Sequence, residues 1–526
     1  MSEIETSLIG FSRGDTSGDP FYASNPATGE QLAPAYASAS DAEVDRAGEL
    51  AELAAGSLAA LSGSEKAKFL RTVADNVEGI VEDLVSVVTS ETGLPEPRVR
   101  GETGRTSGQL RLFADLVEEG SWVDARIDHS IPERQPIPKP DLRSMLRPIG
   151  PVGVFCASNF PLAFSVAGGD TASALASGCP VIVKAHHAHP GTALAVGQAV
   201  IAAVKSCGLA EGTFSLLYGG GRTVGQRLVK HPALKAVGFT GSRSGGRALF
   251  ELAGARPEPI PVYAEMSSVN PIFLLPSVLN ERKEEFALGL QGSAVMGVGQ
   301  FCTNPGVVFH DKGEAGDSFK STYAELMSQA PASAMLHSGI RDAYGEGVSD
   351  RSGSSNVEVL TVAGDGRGAG GCEASTSAFA TDARSYLGDA SLADEVFGPS
   401  TLLVACEGRE EMLEIARALE GQLTASVFGT ASELSDSQDL VDILETKVGR
   451  LLFNQFPTGV EVCHSMVHGG PYPATTDGRS TSVGTGAILR FARPVCYQGF
   501  PPERLPKELD EENSLGIKRV VDGKRG

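Results

Sequence analysis

The chain has 526 residues, 41% of them hydrophobic and 21% charged, which is typical of a globular protein and excludes wholesale disorder and fibrous architecture. Its formal net charge of −21 predicts repulsion from nucleic-acid phosphates and from anionic membrane surfaces. No stretch approaches about 18 consecutive apolar residues, the least that spans a bilayer. We therefore expect a cytoplasmic protein whose partners include neither nucleic acid nor membrane.

The first part of the chain carries apolar residues at helical spacing. Three helices are predicted, over Ala42 to Ala60, Ser64 to Glu91 and Pro97 to Glu119. The proline-rich stretch that follows, from Ile131 to Pro140, predicts a crossing arm or a linker, because proline fits neither a helix interior nor a central strand.

From Pro151 onward, short apolar runs alternate with helical windows, which predicts parallel strands joined by crossover helices in a doubly wound α/β sheet. Such sheets bind ligands at the carboxyl ends of their strands. The predicted strands are Val152 to Ala157, Val181 to Lys184, Phe214 to Leu217, Ala236 to Thr240 and Val262 to Glu265. The predicted helices between them are Thr192 to Ser206, Thr223 to Lys230 and Ser244 to Leu252.

A second α/β region is predicted from Pro271 to about Leu452, interrupted by a glycine-rich segment from Ala363 to Gly371. The chain closes with a highly charged stretch from Lys507 to Gly526, which we expect to lie on the surface. No unit of 20 to 50 residues recurs, so the sequence predicts neither a solenoid nor a propeller.

Polar residues follow several of the predicted strands. The first strand ends in Ser158-Asn159-Phe160-Pro161 where a dinucleotide-binding sheet would show the glycine pattern GxGxxG. An asparagine at a strand end can donate an N–H group to a developing oxyanion, and it is also a common turn residue. Lys184 closes another strand, and Thr240-Gly241-Ser242 closes a third and opens a helix, an arrangement that suits a phosphate-bearing ligand.

Three histidines, His186, His187 and His189, follow Lys184 in a turn. No carboxylate or cysteine stands beside them at the spacing of a metal site, so no metal is predicted there. Further along, Glu265 ends a strand among apolar and small residues, where desolvation would suit it to work as a general base. Cys302 lies in a glycine-flanked loop. A single cysteine is usually a small core residue and a single glutamate usually a surface group, so the chemical argument depends on their combination with the other motifs.

Together these motifs resemble the aldehyde dehydrogenase superfamily over about residues 20 to 500. The resemblance is carried, in this order along the chain, by Ser158-Asn159-Phe160-Pro161, Lys184, Gly238-Phe239-Thr240-Gly241-Ser242, Glu265, Gly299-Gln300-Phe301-Cys302 and Glu395-Val396-Phe397-Gly398-Pro399. It implies an α/β aldehyde dehydrogenase fold with a Rossmann-like doubly wound cofactor domain, an α/β catalytic domain and a small β oligomerisation arm.

The resemblance also implies domain boundaries. The cofactor-binding domain would comprise residues 1–130 and 150–264, the catalytic domain residues 265–452 and the oligomerisation arm residues 131–149 and 486–500. Residues 453–485 would form an active-site loop and residues 501–526 a charged tail. Members of the family associate through the arm, here Arg143 to Arg147 and Ile488 to Val495, which implies a homodimer or a homotetramer.

Catalytic and cofactor roles follow from the same resemblance. Cys302 is implied as the nucleophile and Glu265 as the base, while the Asn159 side chain and the Cys302 backbone N–H would form the oxyanion hole. The cofactor-binding positions are implied to be Lys184, His187, Thr240, Gly241, Ser242, Glu395 and Phe397, with Phe397 against the nicotinamide. Hydride transfer from a thiohemiacetal and hydrolysis of the resulting thioester would turn an aldehyde into a carboxylic acid.

The sequence departs from the common family pattern in three places. Where many members that prefer NAD have a glutamate to bind the adenosine ribose, this chain has His187, which would not repel a 2′-phosphate and so predicts NADP as cofactor, with NAD as an acceptable second. Met266-Ser267-Ser268-Val269 replaces the usual Leu-Gly-Gly-Lys after the base. The loop from Asn454 to Thr475 is long and rich in proline, which is similar to the branch containing α-ketoglutaric semialdehyde (2,5-dioxovalerate) dehydrogenases and bacterial NADP-dependent fatty aldehyde dehydrogenases.

The two substrates of that branch differ in charge, so the entrance of the site should separate them. Arg105 falls where members with apolar substrates tend to carry a hydrophobic residue, and its guanidinium could pair with a carboxylate; a surface arginine beside Glu102 is the competing interpretation. Phe164 and Phe456 are predicted walls of the substrate tunnel. The small-molecule substrate expected from this pattern is α-ketoglutaric semialdehyde, oxidised to 2-oxoglutarate.

Three alternatives stay open from the sequence. The substrate could be a fatty or other aliphatic aldehyde. A cysteine hydrolase could pair Cys302 with His468, because a thiol and a histidine suffice for acyl transfer, although Lys184, Ser242 and Glu395 would then have no role. A non-catalytic relative of the family is the third, and reduction of NADP on addition of an aldehyde would separate the dehydrogenase from the last two.

Overall fold

The computed structural model describes residues 4–362 and 371–526, and its first large sheet is the predicted doubly wound layer. Five of its seven strands are parallel, so their carboxyl ends lie together, and the last two extend the sheet in antiparallel fashion. From one edge to the other the strands are β12 (Val262–Glu265), β11 (Ala236–Thr240), β8 (Val152–Phe155), β9 (Val181–Lys184), β10 (Phe214–Leu217), β2 (Leu8–Ile9) and β3 (Ser12–Arg13). The five predicted strands are confirmed, the first ending at Phe155 instead of Ala157.

Eight helices pack around this sheet in the described residues. They are α1 (Asp41–Ala59), α2 (Gly63–Gly79), α3 (Val81–Thr92), α4 (Glu96–Glu119), α5 (Gly169–Ser177), α6 (Pro190–Ser206), α7 (Gln226–Lys230) and α8 (Arg243–Gly254). Capping boxes formed by Ser40 with Glu43 and by Ser62 with Glu65 begin α1 and α2. The single helix predicted from Ser64 to Glu91 is wrong, because Ile80 leaves the helical conformation (φ −108°, ψ 19°) and divides it into α2 and α3.

The second α/β region has its own seven-stranded sheet. Its strands, in order across the sheet, are β16 (Glu358–Val362), β18 (Ser377–Asp382), β19 (Ser400–Cys406), β14 (Val307–Asp311), β13 (Ile272–Leu274), β20 (Gln422–Phe428) and β21 (Val448–Phe453). Only the β16–β18 pair is antiparallel among them. The surrounding helices are α9 (Pro276–Glu281), α10 (Lys283–Val295), α11 (Glu314–Gln329), α12 (Ser338–Gly353), α13 (Ala383–Gly388), α14 (Arg409–Ala418), α15 (Ala431–Asp436) and α16 (Gln438–Glu445).

Two small sheets complete the two α/β regions. One pairs β15 (Ser333–Ala334) with β17 (Glu373–Ala374), and the other joins β1 (Ile4–Glu5), β5 (Gln31–Ala37) and β4 (Pro20–Ser24). The glycine-rich segment predicted from Ala363 to Gly371 lies outside the described residues except for Gly371. Within the part of the chain that the structure describes, no helix is long and apolar enough to cross a bilayer.

The arm is a five-stranded sheet built from distant parts of the chain. Its strands, in order, are β22 (Ala492–Gln498), β7 (Leu142–Pro148), β6 (Arg126–Asp128), β23 (Val520–Val521) and β24 (Lys524–Arg525). β7 and β22 pair antiparallel, from Ala492 opposite Pro148 to Gln498 opposite Leu142. The two segments assigned to the arm thus meet, although the sheet begins at Arg126 and not within residues 131–149.

The charged C-terminal stretch is largely exposed, as predicted, but unlike a free tail it packs on the arm sheet. Leu509 and Ile517 are buried against Val123 and Ile127, and β23 and β24 extend the arm sheet beyond β6. Apolar side chains spaced between the charged ones explain the difference, because they give this stretch a buried face. Residues 501–526 are therefore part of the arm.

Candidate active site

The carboxyl ends of the first sheet face the second α/β region, and the predicted site residues lie at this junction. Asn159 follows β8, Lys184 ends β9, Thr240 ends β11 and Glu265 ends β12. Cys302 lies beyond α10 in the second region. The loop between β21 and β22 returns to the first sheet, where Thr475 forms an isolated bridge with Glu265.

Cys302, Glu265 and His468 form one contiguous cluster. The Nε2 atom of His468 lies 3.3 Å from the Sγ of Cys302 and 2.9 Å from the Oε1 of Glu265. The hydroxyl of Ser482 donates to Oε2 of Glu265 at 2.8 Å. His468 and Glu265 are 1% and 3% exposed, whereas Cys302 is half-buried, so Cys302 is the most accessible residue of the cluster.

The pKa values of Glu265 and Cys302 are shifted in opposite directions in this cluster. Burial raises the pKa of Glu265, but its interactions with His468 and Ser482 outweigh burial and leave that pKa below the ordinary value. Burial and the neighbouring Glu265 carboxylate raise the pKa of the Cys302 thiol well above its ordinary value. At neutral pH the resting site therefore holds a carboxylate on Glu265 and a protonated thiol on Cys302.

The hydrogen bonds place a proton on Nε2 of His468. Because Glu265 is ionised and can only accept, Nε2 of His468 must carry the proton that it shares with Oε1. Nδ1 of His468 is buried without a hydrogen-bond partner. The Nε2–H group is thus directed between the Cys302 thiol and the Glu265 carboxylate.

The backbone around Cys302 is held by Asn270, which the sequence did not single out, and by two glycines of the predicted motifs. Nδ2 of buried Asn270 donates to the carbonyl oxygens of Cys302 and Asn304, each at 2.9 Å. Asn270 has φ +47°, a left-handed conformation that asparagine tolerates well. Gly299, at φ +65°, packs on Gly398 so closely that a Cβ would lie 2.2 Å from the Gly398 carbonyl carbon. The Cys302 loop is therefore fixed from both sides.

Asn159 lies at the predicted place but bonds to protein in this structure. Its Nδ2 donates to the carbonyl oxygen of Gln300 at 3.1 Å, two residues before Cys302. The amide is therefore near the nucleophile loop and partly exposed. Its role in an oxyanion hole stays a prediction, which requires the amide to exchange Gln300 for a substrate oxygen.

Glu395 and Phe397 line a small cavity together with Ser268 and Asn304. Burial raises the pKa of Glu395 to about 7, opposed by hydrogen bonds from Ser267 and Ser268. The hydroxyl of Ser268 also donates to Oε1 of Gln422 at 2.9 Å. The unusual Ser267-Ser268 pair after the base thus links Glu265 to Glu395.

The remaining cofactor positions lie along the same edge of the first sheet. Lys184 is buried, and that burial lowers the pKa of its ammonium group. His187 is exposed in the turn that follows β9, three residues after Lys184. Ser242 is the exposed N-cap of α8 and accepts a hydrogen bond from the Gly245 N–H at 3.2 Å. Thr240 and Gly241 precede it, with the Gly241 N–H donating to the Glu265 carbonyl at 3.1 Å.

Arg105 is half-buried, and its guanidinium interacts electrostatically with both Glu102 and the Cys302 thiol. Its Nε and Nη2 atoms are buried without a hydrogen-bond partner. The guanidinium carbon lies 5.4 Å from the ring centroid of Phe164 and 5.6 Å from that of Phe160. Burial lowers the pKa of Arg105, an effect that the charges of Glu102 and ionised Cys302 oppose.

The neighbours of Arg105 are already paired with one another. The buried Glu102 accepts from the backbone N–H groups of Leu162 and Ala163 at 2.9 and 3.0 Å and from Nε of Arg98 at 3.3 Å. Arg105 is therefore left as a cation with free N–H groups. The ring centroid of Phe164 lies 6.2 Å from that of His468 and 5.4 Å from the guanidinium carbon of Arg105, and its role as a wall of the pocket stays a prediction.

Phe456 lies elsewhere. Its ring packs 4.9 Å from that of Phe428 and 5.4 Å from that of Phe286, in the apolar cluster on α10. Phe456 is partly buried, at the margin of this cluster. Its role as a wall of the tunnel stays a prediction.

Comparisons with known proteins agree with the geometry. Residues 13–341 match the model of the aldehyde dehydrogenase family. The chain is 49% identical over 519 residues to alpha-ketoglutaric semialdehyde dehydrogenase 2 of Azospirillum brasilense, covering 98% of each protein. It is 44% identical over 488 residues to the alpha-ketoglutaric semialdehyde dehydrogenase of Acinetobacter baylyi, covering 91% of each. A crystal structure of a betaine aldehyde dehydrogenase variant from Staphylococcus aureus has the same fold, with a TM-score of 0.80, 18% identity and coverage of 94% of this chain and 97% of that one.

Proposed function

The chain belongs to the aldehyde dehydrogenase family, and we propose that it oxidises α-ketoglutaric semialdehyde to 2-oxoglutarate with NADP as the preferred oxidant. The names of two relatives that are 44% and 49% identical over nearly the whole chain support this substrate. A semialdehyde of this kind carries a carboxylate at the end opposite its aldehyde. The pocket must therefore offer a nucleophile and, some distance away, a cation.

The observation that carries the substrate proposal is the unpaired guanidinium of Arg105. A buried cation without a partner is costly, and a substrate carboxylate would satisfy the two free N–H groups at once. A fatty aldehyde would leave the Arg105 guanidinium without a partner, because the chain of such a substrate is apolar. Arg105 therefore favours the acidic substrate over the aliphatic alternative.

The first half of the reaction needs a thiolate at Cys302. Release of the thiol proton to solvent would form it, and the Nε2–H group of His468, within 3.3 Å of Sγ, is placed to stabilise the new negative charge. The thiolate would add to the aldehyde carbon, while the Asn159 amide and the Cys302 backbone N–H donate to the resulting oxyanion. The nicotinamide, when bound, supplies the hydride acceptor that turns the thiohemiacetal into a thioester.

The second half of the reaction is hydrolysis of the thioester on Cys302. Glu265, ionised and held by His468 and Ser482, would take a proton from a water molecule that attacks the acyl carbon. The carboxylic acid would leave and the thiolate would return. The contact between Cys302 and His468, which alone would also suit a hydrolase, thus has a place within the dehydrogenase cycle.

The residues at the edge of the first sheet fit a dinucleotide. Lys184 supplies a buried positive charge, and α8 begins at Ser242 with its free N–H groups directed to the same edge. Glu395 is a partly desolvated carboxyl group that would accept from ribose hydroxyls. The preference for NADP rests on His187, which would not repel a 2′-phosphate as a carboxylate would.

We also propose that the chain forms a homodimer or a homotetramer through its arm. β22 is an edge strand of the arm sheet and alternates exposed with partly buried residues, so its backbone groups are available for pairing with another copy. Light scattering after size-exclusion chromatography would distinguish the two assemblies, and a monomer would contradict the proposal.

The experiment that tests the function is a panel of kcat/KM values for α-ketoglutaric semialdehyde, a neutral aldehyde of similar length and a long-chain aldehyde, each with NADP and with NAD. We expect the highest value for the acidic semialdehyde with NADP, and no cofactor reduction with Cys302→Ala. A higher value for the long-chain aldehyde would overturn the substrate proposal, and a higher value with NAD would overturn the cofactor proposal.

A further inference from the structure

Three histidines from two different domains converge beside the predicted cofactor edge. His186 and His187 follow β9 in the first domain, and His337 is the residue before α12 in the second. One ring nitrogen from each lies within 4.8 Å of those of the other two. The ring centroids of His186 and His187 are 4.4 Å apart, and that of His337 is 5.6 and 5.3 Å from them.

We propose that His186, His187 and His337 bind a divalent transition-metal ion of the Zn²⁺ class. Imidazole nitrogen is a preferred ligand of such ions, and three protein ligands with one open position are a common set for Zn²⁺. In a tetrahedral site with bonds of about 2.0–2.1 Å the ligand nitrogens lie about 3.3 Å apart. The cluster needs to contract by no more than about 1.5 Å to reach that geometry, which side-chain rotation of exposed His187 and half-buried His186 and His337 allows.

The protonation state of the cluster suits a metal better than an anion. Burial lowers the pKa of His337 to about 4, and burial with the neighbouring imidazoles lowers the pKa of His186 well below its ordinary value. Burial and the charge of Lys184 lower the pKa of His187 as well. Neutral imidazole is the form that ligates a metal, whereas a phosphate site would need the charged form.

Two features oppose the metal. Nδ1 of His186 accepts a hydrogen bond from the Ala188 N–H at 3.2 Å, and ligation through this atom would replace that bond. The positive charge of Lys184 lies near His187 and would repel a cation. The open fourth position next to exposed His187 can take an anionic ligand such as hydroxide or chloride, which would offset that repulsion.

The metal would have two consequences. It would join the first domain to the second, because His337 comes from the other side of the junction. It would also withdraw His187 from the adenosine ribose, so that the metal and NADPH would compete; this second consequence rests on the proposed function of His187. Metal binding itself does not depend on any dehydrogenase activity.

The test uses Co²⁺ as a spectroscopic probe on the full-length Cys302→Ala protein, because Cys302, Glu265 and His468 are the other described group that could hold a metal. Titration should give one Co²⁺ per chain with the visible absorption of a tetrahedral site, displaced by Zn²⁺. The second variant adds His337→Ala, and a matched control adds His464→Ala, an exposed histidine of the loop after β21. Circular dichroism would check that every variant is folded.

We expect saturable Co²⁺ binding in Cys302→Ala and in the His464→Ala control, and its loss in the His337→Ala variant. Binding that is absent from Cys302→Ala, or unchanged by both His337→Ala and His337→Gln, would overturn the proposal. NADPH that lowers the apparent Co²⁺ affinity would support competition. Co²⁺ binding that NADPH leaves unchanged would place His187 away from the cofactor while the metal site stands.

Discussion

The Sγ of Cys302 and the Nε2 of His468 lie 3.3 Å apart, and that same nitrogen lies 2.9 Å from Oε1 of Glu265. A single N–H group is thus shared between the proposed nucleophile of the first half-reaction and the proposed base of the second. Any change in charge on one of them alters the hydrogen bond available to the other. His468 therefore couples the two halves, which makes it the first residue to test.

Replacing His468 with Gln should lower kcat/KM by about 10- to 100-fold, because a hydrogen bond to a charged group is worth ~1.5–3 kcal/mol. The loss should be larger at low pH, since the thiolate would be less stabilised and the pKa of Cys302, already raised, would rise further. The measurement is a pH profile of kcat/KM, compared with that of His464→Gln. An unshifted profile would show that His468 only fills space beside the thiol.

Replacing Glu265 with Gln should separate acylation from deacylation. The carboxylate contributes to the raised pKa of Cys302, so its removal should lower that pKa and make the thiolate easier to form. We expect a stoichiometric burst of NADPH followed by slow hydrolysis of the thioester. Rapid-mixing absorbance would show the burst, and the rate of iodoacetamide alkylation against pH would show the shift of the thiol pKa to lower pH.

Two results would contradict this assignment. Full steady-state turnover of Glu265→Gln would mean that another group activates the water. A thiol pKa that moves upward would mean that the carboxylate stabilises the thiolate, contrary to the sign of a like-charge interaction. A Ser482→Ala variant offers a milder comparison, because it removes one hydrogen bond from Glu265 and keeps the charge.

The sequence predicted Cys302 and Glu265 as the chemical pair, because each stands in a short motif at a strand end or a tight loop. It mentioned His468 only within a hydrolase alternative, since 166 residues separate it from Cys302 and no local pattern shows that its loop returns to β12. The sequence cannot decide the role of Phe456, because a phenylalanine that packs on a core and one that lines a pocket give the same apolar pattern. Asn270 was not predicted, because its hydrogen bond to the Cys302 carbonyl oxygen joins two residues that are distant in sequence.

Local sequence patterns also predicted the fold only where it does not depend on contacts between distant residues. Short apolar runs and the turn residues beside them predicted the parallel strands of the first sheet almost to the residue. Each of these strands is buried on both faces and flanked by turn residues. The division of the long helix at Ile80 and the return of Leu509 and Ile517 to the arm depend on tertiary packing. Charge alone suggested a solvated tail, whereas a few spaced apolar residues decide where it lies.

Replacing His187 with Glu should move cofactor preference from NADP toward NAD. A carboxylate near the adenosine ribose would repel the 2′-phosphate, and a repulsion of about 1.4 kcal/mol is enough for a tenfold change in the ratio of kcat/KM values. His187→Gln is the matched control, because it removes the imidazole without adding charge. Equal ratios in both variants and the parent would show that this side chain does not face the ribose; Arg243, the next cation along this edge, is already paired with Glu420 at 2.9 Å.

Replacing Arg105 with Met tests the substrate. If the guanidinium pairs with the substrate carboxylate, kcat/KM for α-ketoglutaric semialdehyde should fall by about 10- to 1,000-fold, as expected for ~2–4 kcal/mol of a desolvated charged contact. Activity on a neutral aldehyde of similar length should change little or rise, because methionine relieves the burial of an unpaired cation. Arg111→Met on the same helix, where the arginine pairs with Glu78 and Asp75 at the surface, controls for the loss of a positive charge. The ratio of the two effects decides the outcome, since damage to the fold would lower both activities together. Parallel losses, or no loss for the acidic substrate, would remove Arg105 from the substrate site and favour the aliphatic aldehyde.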